Sequence, residues 1–339
     1  MIQLGPFQLD HPFVLAPMAG ITHSPFRRLM RRYNSAFVVS ELISARGMQS
    51  IQPKTLELLK FHEEERKVGF QIFGEDPFFL CQAAQQIEKL GVDFVDLNLG
   101  CPVPKIVKRG AGAAMCRHPI TLGKILEALV KAIQIPLSIK IRIGWDEESK
   151  NALEIVRIAA QAGVAWVSIH GRTRAQGYEG KADWDFIGDI KAKSTIPIIG
   201  NGDINTPEAA LEKLQKYHLD AVMIGRGALR NPFIFEQAYA LWKGEKYLFP
   251  QASDYLNLIQ EQKKLFQEFF NEKMAGIFGK KFLAWYAAGF PHCHEFRAEL
   301  FRTLDVESVW NQAIQFFQTY FQSRDPQALD QAFLMSGHG

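Results

Sequence analysis

The stretch "DLNLGCPVPKIVKRGAGAAM", Asp96 to Met115, sets Cys101 at the end of an apolar run and directly before glycine-rich, cationic text. A thiol in that position can act as an acid or nucleophile, bind a metal, or pack as a small inert hydrophobe. Metal binding is disfavoured, because no Cys or His lies at ligand spacing nearby and the next residue is Pro102. No acidic residue occurs between Leu97 and Leu126, whereas Lys105, Lys108, Arg109, Arg117 and Lys124 are basic. Such a loop either meets an anion or is simply solvated.

Other reactive types recur at the ends of apolar runs. Lys140 lies inside "LSIKIRIGW", where an ammonium is costly unless it is paired or faces a ligand. It could form a Schiff base, stabilise an electron-rich ring, or snorkel out of the fold. Gln71 ends "KVGFQIF" and offers both donor and acceptor, which suits the edge of a heterocycle or a satisfied buried amide. His170 in "SIHGRT" is followed by Arg172, Arg174 and Tyr178, which combine phosphate-matching guanidinium groups with an aromatic platform. Met18, between Pro17 and Ala19, is a flat, polarizable contact for a ring or plain packing. "GNGDI", with Asn201, Gly202 and Asp203, and "GRGAL", with Gly225 and Arg226, are short glycine-rich turns before helical text. Backbone N–H groups there can cradle a phosphate, or the glycines can merely make tight turns.

The elements that must position these residues are short apolar runs at 13–17, 36–41, 67–73, 93–98, 137–142, 165–171, 196–201 and 220–225. Near-continuous apolar character suits parallel strands buried on both faces. Helical segments over 76–91, 119–133, 148–163 and 205–217 alternate with them. Eight βα repeats predict an α/β fold, a (β/α)8 TIM barrel, whose chemistry sits on the loops after the strands. A doubly wound sheet competes but would want a GxGxxG turn after an early strand, and none is present. Helical, aromatic-rich text follows. We expect a barrel over 1–243, a linker at 244–253, a small all-helical domain over 254–325 and a flexible tail at 326–339.

With 339 residues, 47% of them hydrophobic, the chain can fill a large and a smaller core. No apolar run reaches the ~18 residues of a membrane span, and the N-terminus lacks a secretory pattern. Four cysteines without a CxxC pair, at a formal charge of +3, fit a reduced cytoplasmic protein and permit a nucleic-acid partner.

"LAPMAGITHSPFR", "VSELISARG", "QIFG", "DLNLGCP", "GAGAAM", "KIRIGW", "IHGRTRAQGYEG", "IGNGDI" and "MIGRGAL" occur in order from Val14 to Leu229. Together they resemble the tRNA-dihydrouridine synthases, most closely the bacterial B-type branch, and "KKFLAWYAAGFPHCHEFRAELFRT" (280–303) is similar to that branch's helical domain. The resemblance implies FMN-dependent reduction of uridines in tRNA to 5,6-dihydrouridine, with NADPH as transient reductant. It implies that Pro17, Met18, Ala19, Gln71, Lys140, His170, Asn201, Gly202, Asp203, Gly225 and Arg226 hold FMN. Cys101 would be the general acid and Asn98 would orient the uracil. Lys105, Arg109, Arg172, Arg174 and Tyr178 would meet the RNA. A monomer acting on an asymmetric tRNA is expected, with no metal, membrane or obligate protein partner. One departure is Phe282, where the B-type tail motif carries a histidine after its basic pair. The helical region is also not generally basic: Asp254 to Asp325 holds eight Lys/Arg against nine Asp/Glu.

Overall fold

A computed structural model describes residues 1–50 and 53–323. An antiparallel hairpin, β1 (Ile2–Leu4) and β2 (Phe7–Leu9), precedes eight strands. These are β3 (Phe13–Leu15), β4 (Val38–Ser44), β5 (Val68–Phe73), β6 (Phe94–Leu99), β7 (Leu137–Arg142), β8 (Trp166–His170), β9 (Ile198–Asn201) and β10 (Ala221–Ile224). All eight pair in parallel, in the order β3-β10-β9-β8-β7-β6-β5-β4. Backbone bonds from Leu15 N to Phe37 O (3.1 Å) and Ala36 N to Phe13 O (2.9 Å) join the two outer strands and close the barrel. The expected (β/α)8 architecture is therefore present.

The hairpin was not foreseen, and it decides which end of the barrel is open. Leu4, Leu9, Val14, Phe37, Val39, Phe94 and Trp166 form one apolar cluster across the N-terminal end. Phe94 and Trp166 meet edge-on at 4.9 Å, and Phe7 joins both from the hairpin. Gly69 makes room for this plug, since a Cβ there would stand 2.1 Å from the Phe94 ring. With that end filled by large side chains, only the C-terminal end is left for a ligand.

Helices Pro77–Lys89, Pro119–Ala132 and Pro207–Lys216 lie where their proline and cap signals predict. The helix expected from residue 148 starts instead at Ala152. Residues 146–151 are spent on a turn in which Trp145 N donates to Ser149 O at 3.3 Å. That turn folds back on Gly144, where a Cβ would lie 2.5 Å from Ser149 O.

Beyond the barrel stand helices Ala252–Phe269, Glu272–Tyr286, Cys293–Arg302 and Val306–Tyr320. The expected tail, 326–339, lies outside the described residues, as do 324 and 325. The helices dock on Ser24–Arg32 through Phe26 and Phe282 (ring centroids 4.9 Å apart) and through the Arg28–Glu268 ion pair at 3.0 Å. His23 reaches the same seam, ringed by Phe266, Phe270, Phe278 and Phe282. Phe282 is fully buried, so the departure from the tail motif concerns the packing of these helices on the barrel and presents no surface to a partner. Among the described residues, no helix is long and apolar enough to cross a membrane.

Candidate active site

Strand periodicity places side chains two apart on one face. Asp96 and Asn98, Ser138, Lys140 and Arg142, and Ser168 and His170 thereby come together inside the open end of the barrel. Register then sets neighbours: Gln71 lies beside Asp96, Asn98 beside Lys140, and His170 beside Asn201. The result is a cavity of about 510 Å³ whose lining includes Pro17, Met18, Ala19, Gln71, Asn98, Cys101, Lys140, Arg142, His170, Tyr178, Asn201, Gly202, Asp203, Gly225 and Arg226. Met223 and Ala16 lie both in this lining and in the apolar plug, so the floor is preformed.

One wall is a chain of fixed amides. Ser138 Oγ and Gln71 Nε2 each donate to the Asp96 carboxylate at 2.6 Å. Asn98 Nδ2 donates to Gln71 Oε1 at 2.9 Å, and Asn98 Oδ1 accepts from the Cys101 amide at 2.9 Å. Asp96 is buried, which pushes its carboxyl above the usual range, while Gln71, Ser138 and the Lys140 charge oppose that push. Gln71 and Asn98 each keep one amide hydrogen uncommitted in this chain.

Cys101 is half-buried, and burial pushes its thiol above the ordinary value, against the charges of Arg142 and Lys140. It is therefore protonated at neutral pH. The glycine-rich stretch after it is a folded support. Gly112, at φ +61°, lets the chain pass under Cys101, whose carbonyl accepts from Ala113 N at 3.3 Å. Lys105 and Arg109 stand exposed on the rim beside it, with no ion pair among the described residues.

Across the cavity Lys140 Nζ donates to Asn201 Oδ1 at 3.1 Å, and Asn201 Nδ2 donates to Met223 O at 2.8 Å. Burial, then the neighbouring Arg142, lowers the Lys140 ammonium to about 8. His170 is pushed well below its ordinary value by burial and by Arg142, Lys140, Arg172 and Arg226. Its Nε2 lies 3.3 Å from Arg172 Nη1, a group that can only donate, so the neutral ring carries its proton on Nδ1. Four cations thus surround the cavity against the two carboxylates Asp96 and Asp203, leaving a field that favours an anion.

Arg172, expected at the RNA surface, is turned inward and only 3% exposed. It donates to both Asp203 oxygens at 2.8 Å, to Glu179 O at 3.0 Å and to Gly180 O at 2.7 Å. It therefore shapes the loop after β8 and engages both oxygens of the Asp203 carboxylate. Arg174 is also outside the cavity, stacked on Trp145 at 4.6 Å. Tyr178, 44% exposed, stands at the mouth with Arg226 and Arg142 over its ring at 5.0 and 5.6 Å. Gly202, at φ +130°, permits the turn after β9, and a Cβ at Gly227 would strike Ile204 O at 2.2 Å.

Two residues were given no role by the reading of the sequence. Asp96 anchors the amide chain. Arg142 donates to Gly100 O (2.8 Å), Thr173 O (2.9 Å) and Gly177 O (2.7 Å), joining the Cys101 segment to the loop that carries Tyr178. The signal for both was their period-two spacing from Asn98 and Lys140. Among the described residues, no group of three His, Cys, Asp or Glu could hold a metal.

Comparison with known proteins agrees with this fold. Solved structures with the same fold include histamine dehydrogenase from Rhizobium sp. 4-9, at TM-score 0.59 and 12% identity, covering 95% of this chain and 64% of that one. A 6-hydroxypseudooxynicotine amine oxidase from Pseudomonas geniculata N1 aligns at TM-score 0.55 and 15% identity over 77% of this chain and 52% of that one. The chain thus spans only about half to two-thirds of these larger proteins. Sequence relatives match end to end. A protein named tRNA-dihydrouridine synthase B from Pseudomonas aeruginosa is 35% identical over 94% of this chain and 96% of its own length. A probable tRNA-dihydrouridine synthase from Rickettsia bellii is 36% identical over 94% and 98%. The family model described as "Dihydrouridine synthase (Dus)" matches residues 14–323, from the first barrel strand through the last described helix, and the chain belongs to that family.

Proposed function

We propose that this protein reduces specific uridines of tRNA to 5,6-dihydrouridine, with FMN bound in the barrel and NADPH as the transient reductant. The observation that carries the reading is the convergence of a protonated thiol, Cys101, and a depressed ammonium, Lys140, on one plugged-floor cavity. Family membership supports it.

The residues present fit FMN. Thr22 pins the Pro17–Ala19 turn, its Oγ1 accepting from Met18 N at 3.0 Å and donating to Met18 O at 3.1 Å, which sets Met18 as a flat wall. Gly225 packs on that wall: a Cβ there would sit at ordinary contact distance from Ala16 Cβ (3.6 Å) and Met18 Sδ (3.7 Å). Gln71 and Lys140 would meet the polar edge of the ring system, with Lys140 countering negative charge. Asn201, Gly202, Gly225 and Arg226 would hold the phosphate end, with His170 as a neutral donor. Asp203, already bound to Arg172, contributes shape. When bound, FMN would supply hydride chemistry between NADPH and C6 of the uracil.

Cys101 then serves as general acid, giving its proton to C5, and the raised thiol pKa keeps that proton available at neutral pH. The free amide hydrogen of Asn98 suits a uracil carbonyl. A target base must leave its stack to enter, and Lys105, Arg109 and Tyr178 at the mouth suit a single-stranded RNA segment. The cytoplasm, where tRNA and NADPH are found together, and a monomeric enzyme complete the reading.

The test is to load the purified protein with FMN, supply NADPH and unmodified tRNA, and measure dihydrouridine by nucleoside mass spectrometry. Dihydrouridine should accumulate with NADPH oxidation. Failure to take up FMN sinks the reading, and reduction of free uracil but not tRNA replaces it with a free-pyrimidine reductase.

A further inference from the structure

Three loops of the barrel rim meet at Trp145. Arg117, in the segment after β6, and Arg174, in the loop after β8, each place the guanidinium carbon 4.6 Å from the indole centroid. The arrangement is built in. Arg174 N donates to Gly144 O at 2.9 Å, and Ala175 N donates to Trp145 O at 2.8 Å. Asn151 Nδ2 donates to Cys116 O at 2.7 Å, which ties the segment carrying Arg117 to the loop after β7.

Two guanidinium groups share one indole, and neither has an ion pair among the described residues. The Nε–H of Arg174 is buried without a hydrogen-bond partner. A second cavity, of about 280 Å³, opens on the Arg117 side of the indole and is lined by Arg117, Trp145, Asp146, Ser149 and Asn151 but not by Arg174. Asp146 is its one carboxylate; it accepts from Ser149 Oγ and pairs with neither arginine. The loop is also tied to the catalytic mouth, because Arg142, which lines the main cavity, donates to the carbonyl of Thr173, next to Arg174.

We propose that Arg117 and Arg174, held on Trp145, form a clamp for a phosphate of the RNA backbone, outside the cavity that receives the base. This rests on the reading of tRNA as substrate. Arginine is suited to the task by its planar donor fork, and the indole holds both forks at low entropic cost.

Arg117→Gln, Arg174→Gln and Trp145→Leu, in the FMN-loaded enzyme, test the clamp by tRNA binding across a range of KCl concentrations. Each arginine variant should bind tRNA several-fold more weakly at low salt. The slope of log K against log salt should become shallower by roughly 0.7–0.9 for the lost phosphate. Trp145→Leu should weaken binding similarly, and the milder Trp145→Phe should restore it. A higher NADPH requirement for flavin reduction, with tRNA affinity and slope intact, would assign the pair to the reductant's phosphates and overturn the proposal. Unchanged affinity and slope in both arginine variants would also overturn it. If the parent protein makes no dihydrouridine at all, the functional reading fails; if it does and the slopes do not move, only the clamp fails.

Discussion

The side-chain amide of Asn98 links the two halves of one wall of the cavity: its Oδ1 accepts from the Cys101 amide at 2.9 Å while its Nδ2 donates to Gln71 Oε1 at 2.9 Å. Its orientation is fixed at both ends, because the reverse placement would set donor against donor and acceptor against acceptor. Asn98→Asp keeps the acceptor for Cys101 but faces Gln71 Oε1 with a second acceptor. Leaving a buried polar group unsatisfied costs about 1–3 kcal/mol. Dihydrouridine formation by Asn98→Asp should therefore fall by roughly 10- to 100-fold at equal FMN loading, whereas a fall of less than about twofold would separate Asn98 from the Cys101 geometry.

Cys101→Ala removes the proton donor and leaves the backbone contact from Ala113 in place. A lost general acid lowers the rate by about 10²–10⁴. The variant should fold normally and still be bleached by NADPH, but should form dihydrouridine at or below a hundredth of the normal rate. Retained turnover would make Cys101 a packing residue.

Arg172 acts inside the protein. Arg172→Gln removes the main partner of Asp203, which keeps the Ala182 amide, and frees two loop carbonyls; with Asp203 31% exposed the loss falls below the roughly 3–5 kcal/mol of a fully buried pair. We expect a melting temperature several degrees lower and weaker FMN retention. The salt slope of tRNA binding should stay as in the parent; a shallower slope would show that Arg172 reaches the RNA.

His23 ties stability to pH. Its Nδ1 accepts from Phe26 N at 3.3 Å, and burial among four phenylalanines, then Arg27, lowers it from 6.5 to about 3. The folded form binds this proton less readily than the unfolded chain. Its stabilisation is thus full above pH 6.5 and is lost as pH falls toward 3, by at most about 1.4 kcal/mol per pH unit. Urea unfolding from pH 7 to pH 4 should show a shallower loss for His23→Asn, which keeps a cap acceptor, than for the parent. Parallel curves would mean that His23 is protonated in the folded state.

Eight apolar runs, their spacing and the polar residue closing each run were enough to place the barrel and the residues of its mouth. That worked because buried parallel strands are short, continuous and apolar, and because any polar residue ending one must be satisfied at the rim. The sequence carried less about direction in the loops. Arg172 and Lys105 are both cations in glycine-rich text, yet one is spent on Asp203 and the other is exposed. Local sequence does not encode whether a carboxylate from another strand will be waiting.

Residue types along the chain thus determined the fold class, a thiol at a strand end and the cationic character of the mouth. Only the tertiary structure decided that a hairpin plugs the far end, that Asp96 anchors the amide chain and that Phe282 packs the C-terminal helices onto the barrel. It also decided that Trp145 gathers arginines from two other loops. Each of these depends on strand register or on contacts between distant segments, and such pairings are set by which surfaces bury together, not by spacing along the chain.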